Sequence, residues 1–430
     1  MRILSFTGGA GAMYCGSCLR DNALAAALLA RGHDVVLTPV YTPTRTDERN
    51  VSRAQVFFGG ISVFLEQQVP LFRHTPRVFD RLWDAPWVIQ LATKRQIKVD
   101  PASLGEMTVS MLRGEQGFQA KEIAKLLEWL RHEPRFDVVN LPYALLIALA
   151  EPLRRVLEAP ICCTLQGEDL FLDGLGEAHR RESMALIRAA AHHVDLFLPV
   201  SEYYRDYMPG YLGLPREKMR LVPLGINMEG YAPRPARRDG PFTIGYLARI
   251  APEKGLHVLC EAYRALRQRE PSRPARLVAA GYLPPEHQAY LDEIRKKMRE
   301  WGLDAEFDYR GEVDRAQKTA FLQSLDLFSV PTTYAEPKGM FLLEALANGI
   351  PVVQPRRGAF PEIVAKTGGG LIVEAEDPAA LAEGYLTLWR DPDRAAALAK
   401  AGAAGVREHY DVGVMAEAAE RAYRSAMGSH

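Results

Sequence analysis

Short apolar runs alternate with amphipathic stretches along nearly the whole of this 430-residue chain, and few folds accommodate that. A strand that is apolar on both sides must be covered on both faces, which a parallel sheet flanked by helices achieves. The chain opens with the run Ile3–Phe6, then Gly8-Gly9, a helical stretch around Leu19–Arg31, Gly32-His33 and the run Asp34–Pro39. Strand, helix, glycine stop and strand make one βαβ unit. Further strands are expected at Phe136–Leu141, Pro160–Leu165 and Asp195–Val200, with a short one at Arg220–Pro223. From Pro233 to Gly240 the sequence Pro-Arg-Pro-Ala-Arg-Arg-Asp-Gly lacks apolar periodicity. A new strand follows at Phe242–Tyr246, so the chain divides into lobes of residues 1–235 and 240–410. The second lobe repeats the alternation, with strands expected at Ala275–Ala280, Glu306–Tyr309, Leu327–Val330, Pro351–Gln354 and Gly370–Val373. A helical region Pro378–Arg407 follows, and a last helix, residues 412–430, is expected to return to the first lobe.

Length agrees with two α/β lobes at ~100–200 residues per domain. With 48% apolar and 25% charged residues, each lobe has the material for a core. Fifty-three basic residues balance 53 acidic ones, which removes the global charge expected of a nucleic-acid partner. Five cysteines, two of them adjacent in a strand-like run, do not suit a disulfide framework. With no signal-peptide pattern at the N-terminus and no apolar run of ~18 residues, a cytoplasmic location is expected. Residues 66–118 fit the alternation poorly, mixing Phe72, Phe79, Trp83 and Trp87 with arginines and lysines. The plain reading is helices packed on the first lobe with solvated charges. The alternative is peripheral contact with a membrane surface or a lipid-linked acceptor.

The sharpest chemical signal runs from Tyr334 to Val353: Tyr-Ala-Glu-Pro-Lys-Gly-Met-Phe-Leu-Leu-Glu-Ala-Leu-Ala-Asn-Gly-Ile-Pro-Val-Val. A turn containing Gly339 opens a helix after a buried strand, so unpaired N–H groups and the positive end of the helix dipole face one point. An anion is favoured there. Glu336 and Glu344 lie eight residues apart, roughly 12 Å along a continuous helix, which is of the order of a sugar nucleotide. Carboxylates accept hydrogen bonds from vicinal hydroxyls and repel phosphates, so phosphates belong between them. Glutamates near a helix N-terminus also occur for capping alone.

The string resembles the donor-site segment of family 4 retaining glycosyltransferases, whose pattern is Glu-Pro/Gly-Phe-Gly, a second Glu eight residues after the first, then Ala-x-Ala-x-Gly-x-Pro-Val-Val. Lys338 replaces the usual Phe. That family has the GT-B fold, so the resemblance implies two Rossmann-like, doubly wound parallel-sheet lobes facing a central cleft. A second segment, Gly245 to Leu256, resembles the family's Gly-Arg-Leu-x-x-x-Lys-Gly and implies that Arg249 and Lys254 meet the two phosphates. No Asp-x-Asp stands where such a fold would need it, so no metal and no other cofactor are expected. In the first lobe Gly16 and Ser17 stand at the family's glycine pair, with Cys15 in place of one glycine. One Cys15-x-x-Cys18 without a second pair is weak as a zinc or redox motif. Thr164-Leu165-Gln166-Gly167-Glu168-Asp169 resembles Thr-x-His-Gly-x-Asp, with Gln166 for the histidine. Asp169 fits an acceptor contact or a helix cap equally. Further similarities run through Leu198–Ser201, Val222–Asn227, Gly311-Glu312-Val313 and Gly358–Val364.

The resemblance implies a retaining transferase that moves a hexose-type sugar from a UDP-, GDP- or ADP-sugar to a carbohydrate or glycolipid acceptor. Arg249, Lys254 and Glu336 would carry the reaction. Gly16, Ser17, Gln166, Val313, Gly339, Met340, Phe341 and Glu344 would hold the donor, with Val313 beside the base. Two alternatives stand: a sugar-nucleotide epimerase on the same fold, and an inert sugar-nucleotide-binding protein.

Overall fold

The structure, a computed structural model, describes residues 1–9, 14–58, 101–234 and 240–428. The chain forms two compact units, residues Met1–Pro223 with Ala416–His430, and residues Leu224–Met415.

The first unit is built on a five-stranded sheet in the order β2-β1-β3-β4-β5. Its strands are β1 (Arg2–Thr7), β2 (Asp34–Pro39), β3 (Val138–Leu141), β4 (Ile161–Leu165) and β5 (Leu196–Pro199). All pairings are parallel: Ile3 faces Val35 on one side and Val138 on the other. β4 reads Ile-Cys-Cys-Thr-Leu and is buried throughout, which is why its cysteines sit side by side in a strand: they serve as small core residues. Helices cover it by their apolar stripes. In Ala120–Arg131 the buried residues Ile123, Leu126, Leu127 and Leu130 recur at helical spacing. The last helix, Val412–Gly428, crosses the point where the units divide: from Ala416 on it packs with the first unit. There Arg31 pairs with Glu417 and Glu420.

The second unit holds a six-stranded parallel sheet in the order β11-β10-β9-β6-β7-β8. These strands are β6 (Phe242–Leu247), β7 (Ala275–Ala280), β8 (Phe307–Tyr309), β9 (Leu327–Phe328), β10 (Val352–Pro355) and β11 (Gly370–Val373). Read from β8, this is the doubly wound order 3-2-1-4-5-6. The chain winds one way from β6 and, after crossing back to β9, the other way.

Two expectations are corrected and one, the helical region Pro378–Arg407, is refined. Arg220–Pro223 is not a strand; Met219 forms an isolated bridge with Phe197, and a ladder cannot grow there because Pro199 and Pro223 have no N–H to donate. Pro378–Arg407 is two helices, Pro378–Arg390 and Pro392–His409. Pro392 disfavours helical backbone at Asp391, whose carboxylate caps the second helix at Arg394 N. The division between units also falls ahead of the Pro233–Gly240 stretch, because residues 224–234 are tied into the second unit. Arg234 N donates to Asn348 O at 3.0 Å and its guanidinium pairs with Asp326 at 2.9 Å. Of the stretch 66–118, residues 66–100 lie outside the described residues. The rest forms the helix Pro101–Leu112 and a short 3-10 turn, Gly114–Gln116.

Candidate functional site

In an open parallel sheet, ligands bind beyond the carboxyl ends of the strands where the winding reverses. In the second unit that point lies between β6 and β9, and the loops leaving these two strands carry Arg249–Gly255 and Pro331–Gly339. They are joined by Thr333 N, which donates to Glu253 O at 2.9 Å. Here Lys254 meets Glu336: Nζ lies 2.6 Å from Oε2 of the carboxylate and 2.6 Å from the Tyr334 hydroxyl. Tyr334 also donates to Glu336, and Lys338 N donates to the other carboxylate oxygen at 3.2 Å. Gly358, at φ +50°, clamps the loop from behind. A Cβ there would stand 2.2 Å from Glu336 O, which itself accepts from Ala359 N at 2.8 Å.

Burial alone would raise the Glu336 carboxyl. The Lys254 ammonium, by charge and by hydrogen bond, and then the Tyr334 hydroxyl overcome it and hold the group at about 2, below its ordinary 4.5. A carboxyl depressed in the folded chain lends stability that is complete above its unfolded value. That stability is lost as pH falls from about 4.5 toward about 2. The shift corresponds to about 3 kcal/mol. Thermal unfolding of the full chain between pH 7 and pH 3 should therefore fall steeply for the wild type, whereas Glu336→Gln should start lower and decline less. Parallel curves for the two proteins would remove the pairing from the stability of the fold.

Gly339, in left-handed backbone at φ +68°, starts the helix Met340–Ala347, and no side chain caps it. The first N–H groups, at Met340 and Phe341, are thus left for whatever lies in front of them. The Lys254 ammonium lies 5.7 Å from the Phe341 ring centroid.

The structure gives the remaining site residues surroundings that the sequence did not show. Glu336 and Glu344 do not share a continuous helix, since Glu336 lies in the loop and the helix begins at Met340. Glu344 is buried against Lys318, 2.6 Å away, and accepts from the Tyr231 hydroxyl at 3.1 Å. Neither partner was singled out by the sequence reading; both lie far from the motif along the chain. Arg249 is paired with Glu253 four residues on, and its side chain is 38% exposed. Val313 is half-buried against the core in the loop after β8, and Asp314 next to it caps the following helix with Gln317 in a reciprocal capping box.

In the first unit the helix Gly16–Ala30 also lacks a side-chain cap. A Cβ on Gly16 would meet no atom within 4 Å, so packing within the protein does not demand glycine there. Gln166 is buried at the end of β4. Its amide nitrogen donates to Pro142 O at 2.8 Å and to Asp21 at 3.3 Å, which uses both N–H bonds, while Oε1 is buried without a partner among the described residues. Glu168 fixes this loop: its carboxylate accepts from Ala144 N, Gln166 N and Gly167 N at 2.9–3.0 Å. Asp169 accepts from the Tyr204 hydroxyl at 2.7 Å. Ser17, Gln166 and Gly167 line one wall of a cavity of about 350 Å³ within this unit. Among the described residues no three His, Cys, Asp or Glu side chains gather as a metal site, and no helix is long and apolar enough to cross a membrane.

Two doubly wound units, one with paired cations at its switch point and an uncapped helix beside them, define a two-unit class of parallel-sheet α/β protein. Comparison with known proteins narrows the class. Residues 22–225 match a glycosyl transferase 4-like domain and residues 229–404 match glycosyl transferases group 1, and the chain belongs to this glycosyl transferase family. It is 30% identical over 195 residues to the putative colanic acid biosynthesis glycosyltransferase WcaL of Escherichia coli, covering 44% of this chain and 46% of that one. It is 27% identical over 297 residues, 65% of this chain and 74% of the relative, to a GDP-mannose-dependent alpha-(1-6)-phosphatidylinositol monomannoside mannosyltransferase of Mycolicibacterium smegmatis. With the D-inositol 3-phosphate glycosyltransferase of Corynebacterium glutamicum it shares 29% over 209 residues, 46% of this chain and 49% of the relative. The chain thus spans about half the length of two of these relatives. Among solved structures, sucrose-phosphate synthase from Thermosynechococcus elongatus aligns over 100% of both chains with a TM-score of 0.72 at 18% identity. Anabaena HepE, in complex with UDP and glucose, aligns over 99% of this chain and 100% of its own with a TM-score of 0.67 at 18% identity. The fold is GT-B, two parallel-sheet α/β lobes.

Proposed function

We propose that the protein is a hexosyltransferase that moves a sugar, with retention of anomeric configuration, from a nucleotide diphosphate sugar to a hydroxyl of a carbohydrate or glycolipid acceptor. The observation that carries this reading is the Lys254–Tyr334–Glu336 cluster at the switch point of the second unit, set beside the uncapped helix that starts at Met340. The diphosphate is taken by Arg249, by Lys254 and by the N–H groups of Met340 and Phe341; Glu336 holds hydroxyls of the transferring sugar and Glu344 those of the ribose. When the glycosidic bond to the phosphate breaks, negative charge grows on the diphosphate and positive charge on the sugar, so fixed cations act most strongly in the transition state. The acceptor proton passes to the leaving phosphate oxygen. Gln166, with both N–H bonds spent, serves as a hydrogen-bond acceptor and not as a proton carrier.

On this reading the cations do the work that a divalent metal does elsewhere, and EDTA should leave the rate within about twofold. Turnover of a panel of UDP-, GDP- and ADP-sugars, with GDP-mannose first because a relative is GDP-mannose-dependent by name, tests both points. Loss of activity in EDTA with recovery in Mg²⁺ or Mn²⁺ would end the metal-free scheme. Conversion of the donor to an epimer with no acceptor present would replace the transferase reading with the epimerase one.

A further inference from the structure

The cavity of the first unit has a wall whose chemistry is not that of a sugar site. It lies beyond the carboxyl ends of β2, β3 and β4, with Tyr41, Tyr143 and Gln166 just past those strands. Its opposite side is one face of the helix Pro101–Leu112: Leu104, Met107, Thr108 and Met111 recur at helical spacing and all line it. Thr108 donates its hydroxyl to Leu104 O at 2.7 Å, within its own helix, and so has no proton left for a ligand. Glu168 is also on the wall, but its oxygens already accept from three backbone N–H groups. Six apolar or aromatic side chains of this unit that stay only partly buried, Tyr41, Leu104, Met107, Tyr143, Leu145 and Phe171, converge here. Gln166 is on the wall as well; its Oε1 is buried and accepts from no group among the described residues.

We infer that this cavity takes the apolar part of the acceptor, an alkyl chain or an aromatic aglycone, with the acceptor's polar head toward Gln166. The assignment rests on the transferase reading above and gives it a substrate class. Most of this wall is apolar, so a polyol would leave hydroxyls unsatisfied along it, whereas an apolar group loses little there and gains contact. The volume of about 350 Å³ accommodates roughly ten non-hydrogen atoms at ~30 Å³ each, enough for a medium alkyl chain or a substituted ring and too little for a long lipid tail in full. Methionines suit such a pocket, because an unbranched thioether adapts to chains of different shape.

The test is calorimetric titration of the full chain with methyl, phenyl and n-octyl β-D-glucopyranoside, which share one head. The octyl glucoside should bind at least ~50-fold more tightly than the methyl one, the gain expected from roughly three buried methylenes. Octyl ahead of phenyl indicates an alkyl chain, and phenyl ahead of octyl an aromatic aglycone. Thr108→Trp, which fills the cavity, and Met107→Gln, which makes its wall polar, should each abolish most of this gain while UDP or GDP binds as in the wild type. Equal affinities for all three glucosides overturn the inference in the wild type alone, whatever happens to the folding of Thr108→Trp. So does an octyl gain that survives both substitutions. If the octyl preference is found but no nucleotide sugar is turned over, the cavity is an apolar binding site but the transferase reading falls, and the acceptor assignment with it. If transfer proceeds at one rate to methyl and octyl glucosides and the affinities are equal, the reading stands and the cavity assignment falls.

Discussion

Lys254→Ala is expected to lower kcat by roughly 10²–10³-fold, the range seen when one preorganised charge stabiliser is removed from an active site. Two effects contribute. In the proposed reaction the ammonium meets the leaving phosphate, and it is already fixed by Glu336 and Tyr334 at 2.6 Å, so it needs no reorganisation when charge develops. It is also what keeps Glu336 ionised, because burial pushes that carboxyl upward and the Lys254 charge is the largest force opposing it. Without Lys254 the carboxyl takes up a proton at a higher pH and offers a hydroxyl where it offered two acceptors. Breaking one side of a buried pair costs about 3–5 kcal/mol, so folding must be measured beside kinetics. The double variant Lys254→Ala/Glu336→Gln separates the contributions: its unfolding should be less impaired than that of Lys254→Ala alone, while kcat stays low. If Lys254→Ala keeps the wild-type kcat and loses only stability, Lys254 is a structural counter-ion for Glu336 and the phosphate role must be given up.

The strands and the motif loops were largely legible in the sequence, for a shared reason. Buried parallel strands are apolar throughout, and β1, β2, β4, β6 and β7 announce themselves as runs. Proline sets the limits of such reading: Pro392 divides the helical region Pro378–Arg407 into two helices, and Pro199 and Pro223 prevent the short strand expected at Arg220–Pro223. The loop residues Arg249, Lys254, Glu336 and Gly339 drew notice through their resemblance to the family's motifs, and each lies in a loop that follows a strand. What linear sequence could not show is which charges neutralise each other. Lys254 and Glu336 are distant in sequence and meet because β6 and β9 are neighbours in the sheet. Lys318 reaches Glu344 from the helix before β9, and Tyr231 from the segment that precedes β6. No local signal marks either residue, since a lysine on an amphipathic helix reads as solvated. Lys318 is nevertheless buried, and its contact with a carboxylate explains how a charge can be there.

Arg249→Ala should also cost roughly 10²–10³-fold in kcat, but with a different signature in stability. Arg249 pairs only with Glu253 among the partners seen, across a part-exposed surface with its side chain 38% exposed. A pair of this kind contributes about 0–1 kcal/mol. The guanidinium can therefore exchange Glu253 for a phosphate at little expense, and its removal should hardly move the unfolding transition. Glu344→Gln should do the reverse. Its carboxylate is buried with Lys318 and Tyr231, so neutralising it strands a buried ammonium and lowers stability. The ribose hydroxyls it is proposed to hold change little during transfer, so its kinetic effect should lie mainly in the donor KM. Steady-state kinetics of both variants, with the donor below and above saturation, together with thermal unfolding, resolve the two patterns. A raised donor KM with unchanged kcat for Arg249→Ala, alongside a collapsed kcat for Glu344→Gln in a protein that still folds, would invert the assignment. The buried Lys318–Glu344 pair, rather than Arg249, would then be the charge arrangement that the reaction depends on.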